Sequence, residues 1–237
     1  MVEKQSRDLE NARRSVEEAL RDIASLDIEP APEEEYETGV RVLRADYWGI
    51  AGATRKRLAE IQFLAGETKD DWEDTLRLAC DHYRKGLTQG LRVDHWLAGQ
   101  YLVLQSVTSA ARDADDFEFW WEETLRIAAV GLRSSDRYER MWVYSTMADL
   151  RLVALAERLP LDKPFHGQSV VTELEAMVRE GGGPRRCPAI WPTFRQFWRW
   201  HHWWIDRSDD GQEEARVGYE YLWPLVEPGL RASRTEE

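Results

Sequence analysis

Val2, Leu9, Val16 and Ile23 recur every seven residues at the start of the chain, and Ala12, Ala19 and Leu26 fill the offset positions. Charged residues take most of the remaining places. This spacing predicts an amphipathic helix over residues 2–27, within an N-terminal element 1–28. The stripe suits a short coiled coil, and with it self-association, or a helix packed on the body of the chain. Glu29-Pro30-Ala31-Pro32-Glu33-Glu34-Glu35 follows. Two prolines beside an acidic run predict a linker over 29–35.

From residue 36 the pattern becomes periodic. Trp48, Trp72, Trp96 and Trp120 lie 24 residues apart, and Trp142 follows 22 later. Acidic residues precede several of them, as in Asp70-Asp71-Trp72 and Asp94-His95-Trp96, and carboxylates favour a helix N-terminus. Each tryptophan is therefore expected at or near a helix start. Helix formers fill the intervals. The octapeptide Trp72-Glu73-Asp74-Thr75-Leu76-Arg77-Leu78-Ala79 returns 49 residues later as Trp121-Glu122-Glu123-Thr124-Leu125-Arg126-Ile127-Ala128. Two helix types thus alternate, and each pair makes one hairpin. The expected fold is all-α, with stacked antiparallel helical hairpins and a period of about 48 residues, an α-solenoid.

Three further helices are expected near 168–180, 189–206 and 212–228. Gly181-Gly182-Gly183-Pro184 ends the first of them. The helical-repeat domain is read as 36–230, with a frayed tail over 231–237. No period-two alternation predicts a strand.

Charge and composition narrow the function. Lys and Arg number 32 against 44 Asp and Glu, a net charge of −12, and 43% of residues are hydrophobic. That excess of negative charge disfavours nucleic acid and anionic membranes as partners. The start of the chain lacks the apolar core of a signal peptide, and two distant cysteines, Cys80 and Cys187, build no disulfide framework. A cytoplasmic location is expected.

No catalytic motif stands out. His201 and His202 are adjacent and point apart on a helix, so they cannot share a metal unaided. The glycines match no phosphate loop. The expectation is a protein without enzymatic activity, cofactor or metal.

Residues 194–205 form the most unusual segment. Phe194, Phe197, Trp198, His201 and Ile205 make one stripe suited to a core. Arg195, Arg199, Trp200 and Trp203 lie off that stripe and are the candidate contacts to a partner, since tryptophan and arginine dominate binding hot spots. Burial of the same helix on two sides, with arginines reaching out, is the competing reading. Arg185, Arg186 and Arg195 are the candidate clamp if the ligand is instead a small anion or nucleotide.

The early tryptophans resemble those of tetratricopeptide repeats, and Trp96-Leu97-Ala98-Gly99-Gln100-Tyr101 is similar to that class's first helix. The period departs from its 34 residues. A closer resemblance is to bacterial tetratricopeptide-like modules related to the TRAF-binding region of stress-activated kinase kinase kinases. His95-Trp96 with Gln100-Tyr101-Leu102 carries it. So do Glu139-Arg140-Met141-Trp142 with Ser145, Ala148, Asp149 and Leu150, and Thr193-Phe194-Arg195-Gln196-Phe197 leading into Trp203-Trp204. The resemblance covers about 40–230. It implies a non-catalytic regulatory scaffold of a bacterial signalling or defence system, with a caspase-like peptidase or signalling protein as partner.

Overall fold

The computed structural model describes residues 2–25, 37–89, 94–108, 114–161, 165, 169–204 and 209–234. These residues contain nine helices and no strand. They are α1 (Val2–Ser25), α2 (Glu37–Leu64), α3 (Lys69–Gln89), α4 (His95–Val107), α5 (Ala114–Gly131), α6 (Arg137–Glu157), α7 (Val170–Glu180), α8 (Ile190–His202) and α9 (Asp209–Arg234). The fold class is all-α. The linker expected at 29–35 lies outside the described residues.

Several starts follow from local chemistry. Asp94 accepts hydrogen bonds from the Trp96 and Leu97 amides at 2.6 and 3.1 Å and so caps α4. Asp136 caps α6 through the Tyr138 amide at 2.8 Å, and Ser169 caps α7. These bonds satisfy amides that the first helical turn leaves open. The tryptophan rule holds less well. Trp96 is the second residue of α4, whereas Trp48 lies deep inside α2, which begins at Glu37. The run from Glu37 to Trp48 holds no proline and its one glycine, Gly39, falls in the first turn, so no start is needed at Trp48. At the other end, α9 continues through Pro224 and Pro228 and includes Arg231–Arg234, part of the expected tail.

The chain divides into two compact units, 1–118 and 119–237. In the first, α1 packs on α2, α2 on α3, and α3 on α4. The heptad positions Leu9, Ala12, Val16, Ala19 and Ile23 are half-buried. The Tyr47 hydroxyl donates to the Ile23 carbonyl at 2.8 Å, and Arg13 pairs with Glu67 at 2.5 Å. The stripe thus serves packing on the body. Leu76, Ala79, Tyr83, Leu102 and Leu104 form the core. Gly49 allows α2 to approach α4: a Cβ there would lie 2.9 Å from the Leu97 side chain.

In the second unit α6 packs against α7, and α8 against α9. Contacts also run from α6 to α8 and from α9 to both α6 and α7. Helix α6 is the centre, with an unbroken buried run from Ser145 to Ala154. Arg151 is 3% exposed and faces two carboxylates, Glu173 at 3.7 Å and Glu214 at 3.3 Å. Glu214 in turn accepts from the Val170 amide at 3.0 Å, at the positive end of α7. One arginine therefore joins α6, α7 and α9. Met141, Met147, Leu152, Leu174, Met177 and Phe197 are among the large apolar side chains fully buried in this unit.

Candidate functional site

The turn before α8 fixes how that helix is presented. Gly182 and Gly183 have φ of 85° and 97°, a region that side chains resist. The Arg186 and Cys187 amides both donate to the Gly183 carbonyl, and Cys187 then packs beneath Gly181. Burial pushes the Cys187 thiol up. Arg185 and Arg186 stand exposed on this turn.

Helix α8 buries most of its circumference. Ile190, Thr193, Phe194, Gln196, Phe197, Arg199 and Trp200 are all inside. Thr193 meets Ser145 of α6, Oγ to Oγ, at 2.7 Å. Phe197 presses on α9 at Gly218, where a Cβ would come within 2.3 Å of its ring. Trp200 and Trp204 meet edge to face at 5.6 Å, and Trp203 lies 5.4 Å from Trp204.

Three of the four expected contact residues lie inside. Trp200 is 5% exposed and Trp203 7%, so neither ring is open to a partner. Arg199 is also buried and donates to Gln196 Oε1 at 3.1 Å. The reason is that α8 is lined by α6 on one side and α9 on another, so the side opposite the expected stripe is covered too. Of the predicted core stripe, Phe194 and Phe197 are buried, Trp198 and His201 are half-buried, and Ile205 lies outside the described residues. Arg195 is half-buried on the helix, away in sequence from the exposed pair Arg185 and Arg186.

The open side of α8 carries a different set. Trp191, Arg195, Trp198 and His202 follow at steps of four, three and four residues, which places them on one face. Trp191 is 44% exposed, and His202 is exposed as well. Helix α9 extends this face with Tyr219 and with Trp223, 37% exposed.

The rings touch one another in series. Trp191 stacks on Phe194 at 5.6 Å, and Phe194 stacks on Tyr219 at 5.3 Å. Trp223 stands 6.1 Å from Tyr219 and 5.9 Å from Phe194. His201 and His202 close on the same tyrosine at 5.5 and 5.3 Å, and Trp198 reaches His202 at 5.5 Å. Burial, then the neighbouring His201, holds His202 below the usual histidine range. Seven rings thus make one sheet across two helices.

Trp191, His202 and Trp223 are the exposed members, Trp198, His201 and Tyr219 are half-buried and Phe194 lies inside, so the exposed rings are held in place by the covered ones. The stripe 191/195/198/202 was readable from spacing alone. Its exposure was not, because periodicity cannot say which of two aromatic faces a neighbour covers.

A second polar cluster lies in the first unit. The Tyr101 hydroxyl donates to Asp116, and Arg84 pairs with the same carboxylate at 3.2 Å. Cys80 sits beside them, accepting from Gln105 Nε2 at 3.2 Å. Burial pushes its thiol up to about 12. A thiol that stays protonated at neutral pH is a poor nucleophile. Among the described residues, no three His, Cys, Asp or Glu side chains are placed to hold a metal, and no helix is long and apolar enough to cross a membrane.

No known protein family, curated protein or solved structure matches this chain.

Proposed function

We propose that this chain is a non-catalytic protein-interaction scaffold, and that its contact surface is the aromatic face of α8 and α9. One observation carries the reading: a continuous sheet of rings, from Trp191 to Trp223, ends in side chains left open to solvent. Exposed contiguous apolar patches mark sites of association, and tryptophan and tyrosine are the residues that anchor them.

The scaffold is read as helical hairpins repeated at about 48 residues. Two contacts support this. Gly49 of α2 meets Leu97 of α4, and Ser145 of α6 meets Thr193 of α8. Both pairs are 48 residues apart, and 49, 97, 145 and 193 form one series at that interval. The resemblance to tetratricopeptide-like regulatory modules agrees with a role in holding a protein partner, such as a signalling protein or peptidase.

The test is affinity capture from the native host with the wild-type chain and the Trp191→Ala, Trp223→Ala variant. Both rings are exposed, so the variant should fold. Loss of the captured proteins supports the reading. Identical capture by both versions overturns it.

A further inference from the structure

Five arginines gather at one end of the second unit. Arg137 and Arg140 lie at the start of α6, Arg179 in the last turn of α7, and Arg185 and Arg186 on the turn before α8. The Arg179 carbonyl ties these parts together. It accepts from Arg137 Nη2 at 2.9 Å and from the Gly182 amide at 3.2 Å. A Cβ on Gly182 would lie 3.8 Å from Arg186 Cδ, so the Arg186 side chain runs back over the same turn.

One internal carboxylate serves this cluster. Arg140 holds Glu180 through Nη2 at 2.7 Å and Nε at 3.2 Å, whereas Arg137 and Arg179 reach it only at 3.7 and 4.0 Å. Two other acids near the start of α6 are engaged elsewhere. Asp136 caps the helix, and Glu139 Oε1 lies 3.8 Å from a Cβ placed on Gly131, at the end of α5. The side chains of Arg137 and Arg179 are 61% and 67% exposed. Arg185 and Arg186 are exposed and make no ion pair among the described residues. No acidic residue lies between 181 and 205. This end is therefore positive in a chain whose net charge is −12.

From this we infer that the arginine end of α6 and α7 is a docking site for an acidic peptide, a run of several Asp or Glu side chains on a partner protein. Residue type sets the chemistry. All five cations are arginines, whose guanidinium forks match carboxylates, the group that Arg140 already holds in Glu180. Arginine clusters are a recurring means of reading acidic motifs.

Net charge sets the size of the ligand. At physiological salt a surface charge is felt over about 8 Å. A short acidic segment senses the arginines alone. A long polyanion, such as nucleic acid, also meets the acidic remainder of the chain and is repelled. The site shares no residue with the aromatic face of α8 and α9 and does not rest on it.

Fluorescence anisotropy of fluorescein-labelled hexaglutamate, titrated with the full chain at low and at physiological salt, tests this. Exposed pairs are individually weak, so half-saturation is expected at about 0.1 mM and at higher concentration as salt rises. Arg185→Ala with Arg186→Ala removes two cations and leaves the Glu180 contacts intact. It should weaken binding about tenfold. Arg126→Ala with Arg216→Ala removes the same charge from exposed places on α5 and α9 and should change binding by less than about twofold. Far-ultraviolet circular dichroism checks that each variant keeps its helices.

The Trp191→Ala, Trp223→Ala variant should bind hexaglutamate as the wild type does, so failure here and failure of the aromatic face are read apart. Loss of hexaglutamate binding in that variant would put the peptide on the rings and overturn the assignment. No binding by the wild type at low salt overturns the inference. Equal losses in the two arginine pairs reduce the effect to net charge and overturn the site. Displacement of the labelled peptide by oligothymidylate at a lower concentration of charge than unlabelled hexaglutamate requires makes this a nucleic-acid site and overturns the choice of ligand.

Discussion

Ser145 and Thr193 share a hydrogen bond of 2.7 Å across 48 residues of sequence. The Thr193 hydroxyl also lies 2.7 Å from the Ala189 carbonyl. The consistent arrangement has Thr193 donating to Ala189 and accepting from Ser145. Ser145→Ala removes only that acceptance and should cost about 1 kcal/mol, read as a small fall in the denaturant midpoint. Thr193→Val removes both links and leaves Ser145 without its partner, so it should cost more than Ser145→Ala.

Arg151 predicts a larger effect. It is almost fully buried, and so is Glu173 at 1% exposure. Arg151→Leu strands that carboxylate inside the second unit and should destabilise by about 3–5 kcal/mol. Adding Glu173→Leu should recover part of the loss, because two apolar side chains need no compensating charge. Thermal denaturation of the single and double variants measures this.

The buried tryptophans of α8 should behave as core. Trp200→Ala opens a cavity and should cost about 3–5 kcal/mol. Trp200→Phe should cost much less, because the Trp200 indole N–H makes no hydrogen bond among the described residues. Chemical unfolding separates these outcomes. A Trp200→Ala variant as stable as wild type would contradict the placement of the ring.

Gly218 is required by contact rather than by backbone angle. A methyl group there would collide with the Phe197 ring. Gly218→Ala should destabilise by about 1–3 kcal/mol, and Phe197→Leu should relieve part of that strain when combined with it. Additive losses in the double variant would argue against the close approach of α8 and α9.

The pH dependence follows from two histidines. Burial holds both His82 and His202 below their ordinary range, helped at His82 by Arg55 and Lys85 and at His202 by His201. The unfolded chain then binds protons more readily than the folded one. Stability from these groups is complete above the ordinary histidine value and is lost as pH falls through the lowered folded one. The melting temperature should fall between pH 7 and pH 5, and His82→Gln with His202→Gln should flatten that slope. An unchanged slope would show that carboxylates alone set it.

Much of this fold was legible in the sequence. The heptad stripe of α1, the carboxylate at Asp94 and the helical periodicity depend on near neighbours, and local chemistry decides them. Trp48 misled because a tryptophan after an aspartate looks the same at a helix start or inside a helix. Helix α9 runs through Pro224, as the helix expected over 212–228 does, and continues past Pro228 to Arg234.

The proposed contact surface is only half legible. Spacing marks the unusual helix, but it does not rank Trp191 and Trp198 against Trp200 and Trp203. Both pairs recur on opposite sides of one helix, and only the packing of α6 and α9 decides which side is covered. Trp223 had no such signal, since its role depends on meeting Phe194 across the hairpin.

Photo-crosslinking from single sites tests most directly whether this face holds other proteins. A benzophenone amino acid replaces Trp191 in one version of the chain and Trp200 in another, and both are irradiated in host cells. Protein adducts are predicted from position 191, with none above background from position 200. No adduct from position 191, or equal adducts from both positions, would contradict the assignment.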